Sequence, residues 1–131
     1  MPVELKMLGW STALGLIYLL LATLLSLLQR GMAWNTGNRD EAVPLTGMAA
    51  RMDRASRNFL ETFAFFAVAV LVVVVGQRTG ARTVLGAELY FWARVVYLPV
   101  YAAGIPYLRT LVWTVSVVGL VMVLSGVFSP S

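Results

Sequence analysis

The chain of 131 residues contains no cysteine and no histidine. The missing cysteine excludes disulfides and any protein thiolate nucleophile. The missing histidine excludes an imidazole base. Together they remove the ligands of nearly every zinc or transition-metal site, so no metal is expected. Any thiol chemistry has to use a thiol that the substrate brings. Charge is scarce too: Asp, Glu, Lys and Arg make up 12% of the residues, against roughly a quarter in a soluble domain. In their place the chain is 60% hydrophobic, with a mean hydropathy of +0.81. This is the composition of an integral membrane protein, and the length allows one compact domain. The net charge of +4 does not argue for nucleic acid. The arginines sit at the ends of apolar segments, where the positive-inside rule and lipid headgroups account for them first.

Four apolar segments are expected as membrane helices, at about 5–28, 47–75, 81–102 and 106–128. The first is uncharged from Met7 to Gln29, more than the ~20 residues a span needs. It is too long for the apolar core of a signal peptide and no Ala-x-Ala site follows, so it is expected to be retained. Its Gly9, Ala13, Gly15 and Ala22 are permissive of close helix packing. The long polar connection that follows is punctuated by Gly31, Gly37, Pro44 and Gly47, with Asn35, Asn38 and Asp40 as turn formers. Thr46 is placed to cap the second helix. In the third segment Pro99 lacks an N–H and predicts a local kink. Pro106 suits the first position of the fourth helix. Arg30, Arg39, Arg51, Arg54, Arg57 and Arg109 gather in loops one and three and the adjoining helix start, against Lys6, Arg78 and Arg82 on the other side. The bias puts loops one and three in the cytoplasm and both termini outside.

The stretch Arg51-Met52-Asp53-Arg54-Ala55-Ser56-Arg57-Asn58-Phe59-Leu60-Glu61 is polar, yet runs without a turn signal into the apolar residues 62–76. At 100° per residue, Arg51, Arg54, Arg57, Asn58 and Glu61 fall within roughly a third of a helix's circumference. A charged stripe therefore descends from the membrane surface into the edge of the hydrocarbon, where charges are costly and usually mark a site. On the same side lie Arg94, Tyr97 and Tyr101 of the third segment, with Tyr90 on their face, and Arg109 at the start of the fourth. Arginine forks bind carboxylates bidentately, Glu61 accepts from an ammonium, and Asn58 donates and accepts. A thiol beside Arg109 would be drawn toward its thiolate, with the helix dipole acting in the same sense. Each residue also has a plainer explanation. Arg51 and Arg57 suit headgroups, Arg57 and Glu61 are an i,i+4 pair, Arg94 and Glu61 suit a brace between helices, and Tyr90, Trp113 and the other aromatics suit packing.

Arg54-Ala55-Ser56-Arg57-Asn58-Phe59-Leu60-Glu61 resembles the R-A-x-x-N-x-x-E signature of the MAPEG proteins, the membrane-associated proteins in eicosanoid and glutathione metabolism. Ala93-Arg94-Val95-Val96-Tyr97, Tyr101 and Arg109-Thr110 resemble their third and fourth helices. The likeness extends over essentially the whole chain and is nearest to small bacterial members. It implies an all-α bundle of four transmembrane helices, assembled as a homotrimer in a bacterial inner membrane, with glutathione bound between subunits near the cytoplasmic side. Position by position, Arg54, Arg57, Asn58 and Glu61 match the second-helix glutathione contacts. Arg94, Tyr97 and Tyr101 match third-helix pocket positions, and Arg109 the arginine that stabilises the thiolate. Thr110 and Trp113 fall where the prostaglandin-forming member has Ser and Tyr, and Tyr97 where it has His; Arg30 aligns loosely with a first-helix arginine. The expected function is a glutathione-dependent transferase or peroxidase acting on lipophilic electrophiles delivered by the bilayer. The competing expectation is a non-catalytic lipid-binding or scaffold member of the family.

Overall fold

A computed structural model describes residues 1–39 and 42–129. Asp40, one of the turn formers expected in the first loop, and Pro130 and Ser131 of the tail lie outside the described residues. The elements are α1 (Val3–Arg30), a short α2 (Met32–Thr36), α3 (Gly47–Val75), α4 (Ala81–Ala103), α5 (Pro106–Ser125) and a 3₁₀ turn (Gly126–Phe128). No strand occurs among the described residues.

Local chemistry sets the ends. Gly31, at φ +91°, closes α1 and returns its N–H to the Leu27 carbonyl at 2.9 Å. Thr46 precedes α3 but its side chain does not cap it. Its backbone is gripped instead: the Thr46 N–H donates to Gln29 Oε1 at 2.8 Å and Gln29 Nε2 donates to the Thr46 carbonyl at 3.2 Å. A glutamine at the end of α1 therefore performs the fastening expected of the threonine. The polar connection is also not all loop, because Met32–Thr36 forms α2. Gly104, at φ +73°, ends α4 with its N–H on the Tyr101 carbonyl at 3.0 Å, and Pro106 opens α5. Helix α4 continues through Pro99 to Ala103.

Side-chain bonds order the ends of the bundle. At one end Arg51 of α3 reaches the Ala102 carbonyl of α4, and Gln29 meets Thr46. At the other, Glu4 of α1 meets Thr83 of α4 (2.6 Å) and Arg78 meets the Ser129 carbonyl. The long helices thus run up, down, up and down. Helices α4 and α5 touch through glycine: a Cβ on Gly86 would lie 2.6 Å from the Gly119 carbonyl, and one on Gly119 would crowd the Tyr90 nitrogen at 2.8 Å. The interior is aromatic, with Phe66 stacked on Tyr90 at 4.0 Å and Tyr18 tilted on Phe59 at 5.0 Å. Large apolar side chains such as Leu20, Phe65, Val68, Trp92, Leu111 and Val121 face outward, as they do in a protein whose solvent is hydrocarbon. Three helical stretches are long and apolar enough to cross a membrane: Val3–Arg30, Gly47–Val75 and Pro106–Phe128. Helix α4 has 23 residues, about 34 Å at 1.5 Å per residue, but Arg82, Glu88 and Arg94 are spread along it, whereas α3 keeps its charges in its first half.

Gly119→Ala inserts a methyl where two backbones meet, and overpacking of this kind costs about 1–3 kcal/mol. A lowered unfolding midpoint in detergent is expected, and an unchanged midpoint would show that the two helices can separate freely.

Candidate functional site

Arg94 is completely buried. Its Nη1 donates to Asn58 Oδ1 at 2.8 Å and its Nη2 to Thr62 Oγ1 at 2.9 Å. The guanidinium carbon lies 4.8 Å from the Tyr97 ring centroid, 5.8 Å from that of Tyr90 and 5.9 Å from that of Phe59. Nε has no partner. The cation is thus held by two neutral oxygens and three π-faces, each face contributing about 0.5–2 kcal/mol when desolvated. The brace expected between Arg94 and Glu61 does not form. Asn58 and Thr62, one turn apart on α3, take the guanidinium's two outer nitrogens instead, and Glu61 is exposed.

A second group lies next to it. Tyr97 and Tyr101 are both buried, with ring centroids 5.4 Å apart. The Tyr101 hydroxyl accepts from Arg54 Nε at 3.1 Å, and the Arg109 guanidinium carbon stands 4.9 Å from the Tyr101 ring centroid. Arg109, Thr110 and Trp113 of α5, Tyr97 of α4 and Asn58 of α3 line a groove of about 230 Å³. Arg54, Asn58, Arg94, Tyr97, Tyr101 and Arg109, all expected to converge, are therefore brought together. Arg57 stands apart. It is exposed and pairs with Asp53 at 3.2 Å rather than with Glu61, because the preceding turn offers a carboxylate at the same spacing. Arg51 is not directed at headgroups alone: its Nε donates to the Ala102 carbonyl at 2.9 Å, where a cation complements the C-terminal end of α4. Arg30 stacks over Trp34 at 4.2 Å.

A larger cavity, about 650 Å³, opens at the opposite end around Gln77, Arg78, Arg82 and Ser129. Its arginines serve the end of the chain: Arg78 donates to the Ser129 carbonyl and Arg82 to Ser125 Oγ at 3.4 Å. Thr83, which is buried and donates to the buried Glu4 carboxylate at 2.6 Å, also lines it, whereas the residues of the polar stripe lie at the other end.

The family model of the MAPEG family matches residues 7–128. The chain belongs to the MAPEG family. It is accordingly a membrane protein, in keeping with its three apolar helices. No curated protein and no solved structure matches it. In this MAPEG chain the signature residues divide by depth. Asn58 turns inward to Arg94, Arg54 reaches across to Tyr101, and Arg57 and Glu61 stay at the surface. Three members of the site were not singled out beforehand. Thr62 was counted as the start of the apolar run, although it lies four residues beyond Asn58 on the same stripe. Phe59 and Tyr18 carry no charge to mark them.

Thr62→Val keeps the shape but removes the acceptor shared by Arg94 and the Tyr90 hydroxyl. The loss of a hydrogen bond to a buried charge is expected to cost about 1–3 kcal/mol. Thr12→Val, which removes only an exposed bond to the Leu8 carbonyl, is the comparison. Equal unfolding midpoints for the two variants would show that the cage around Arg94 contributes nothing.

Proposed function

We propose that the chain is a membrane-embedded glutathione transferase or peroxidase. In this reading it has four membrane spans, α4 included, and assembles as a homotrimer in a bacterial inner membrane. Loops one and three face the cytoplasm and both termini face the other side. The observation that carries it is the groove lined by Arg109, Tyr97 and Asn58, next to which Arg109 and Arg54 both engage Tyr101. Two cations with no carboxylate partner among the described residues suit the two carboxylates of the tripeptide, and exposed Glu61 suits its ammonium.

Arg109 favours the ionised form of the substrate's thiol. The thiolate attacks an electrophilic carbon, the new C–S bond takes its electron pair from sulfur, and the leaving group departs with the pair from the broken bond. The exposed apolar flanks of α3 and α5 place the groove within reach of substrates dissolved in the bilayer, and the soluble thiol arrives from the aqueous end. The alternative, a non-catalytic lipid-binding or scaffold member, requires that the same arginines hold headgroups and that no tripeptide binds.

Arg109→Ala is expected to lower conjugation of a chloro-dinitrobenzene-type electrophile by about 10²-fold or more, the scale of removing a preorganised charge from a developing anion. Undiminished turnover would take Arg109 out of the mechanism. Titration calorimetry with millimolar glutathione on the wild-type protein separates the two functions: heat of binding supports the enzyme, and its absence supports the scaffold.

A further inference from the structure

Tyr18 of α1 lies outside the polar stripe and the signature, yet it is completely buried and its hydroxyl donates to the backbone carbonyl of Arg94 at 2.6 Å. That carbonyl precedes the carbonyl of Val95, which Pro99 leaves without its helical donor. In hydrocarbon a neighbouring helix has to make good such a loss. The tyrosine's bond falls one residue before that gap, on the residue whose side chain enters the site. The Tyr18 ring also leans on Phe59, centroids 5.0 Å apart, and Phe59 in turn stands 5.9 Å from the Arg94 guanidinium carbon. Gly15, one turn before Tyr18, makes this approach possible, since a Cβ there would come within 2.7 Å of Phe59 Cε1. Helix α1 thus holds Arg94 twice, at its backbone through the phenol and at its side chain through the phenyl ring.

We propose that Tyr18 is a positioning residue for the thiol-substrate site, fixing the depth and rotation of Arg94 so that its guanidinium stays on Asn58 and Thr62 and leaves Asn58 aimed into the groove. This rests on the glutathione site proposed above. Tyr18 touches no substrate and acts through Arg94 alone.

The test compares Tyr18→Phe with Leu14→Ala, a second buried change on the same core of α1, in the full-length protein in lipid nanodiscs. Tyr18→Phe keeps the ring on Phe59 and removes only the donor. It is expected to raise the glutathione Kd and KM about three- to tenfold, as a lost buried hydrogen bond of roughly 1 kcal/mol would, with kcat changed less than about twofold. Leu14→Ala should lower the unfolding midpoint at least as much and leave the Kd where it was. A second readout needs no ligand. The Nε–Hε resonance of Arg94, assigned by its disappearance in Arg94→Lys, should move in Tyr18→Phe and stay in place in Leu14→Ala. Equal effects of the two variants on that resonance overturn the proposal. If wild-type protein binds no glutathione, the glutathione site falls, and the resonance alone decides whether Tyr18 orients Arg94.

Discussion

The bundle depends on a buried positive charge, Arg94, that no carboxylate among the described residues pairs with. A charged side chain at mid-membrane costs about 2.5–3.5 kcal/mol on insertion scales, and Arg94 offers five N–H donors from a completely buried position. The fold answers with neutral partners from α3 and a ring of aromatic faces from α3 and α4. Neutral partners hold the two outer nitrogens without cancelling the charge. The positive potential of Arg94 therefore persists around the groove that Asn58 and Tyr97 help to line, and an anion entering there meets a field already in place. The same arrangement that lets Arg94 be buried thus favours the kind of ligand proposed for the groove.

The remaining arginines at that end differ in what they leave over. Arg51 is occupied with the last carbonyls of α4, Arg57 with Asp53, and Arg30 with Trp34. Arg54 and Arg109 meet on opposite aspects of Tyr101, one at its hydroxyl and one over its ring. A phenol between two guanidinium groups lets like charges approach without direct contact. The groove keeps two donors in reserve because their neighbours have been assigned elsewhere.

Much of this was legible in the residues. Low charge and long apolar runs identified a membrane protein, and the placement of Gly104 and Pro106 marked the turn into α5. The helical period put Asn58 on the polar stripe of the second segment, and the topology put Arg94 at the same end of the bundle. What could not be read was which partner each polar group would choose. Asp53 and Glu61 are both four residues from Arg57, and helical spacing alone does not separate them. Thr46 and Gln29 could each fasten the start of α3, and only the return of the chain over α2 decides for the glutamine. Tyr18 left no trace in the sequence, because a single tyrosine in an apolar run resembles any packing residue. Its meaning comes from Arg94, 76 positions away in the chain.

The meeting of Gly86 and Gly119 has a mechanical consequence. With bare backbone against bare backbone, α4 and α5 have no intervening side chains whose rotamers could change to let them slide. They act as one plank that carries Tyr97, Tyr101 and Arg109 in fixed relation.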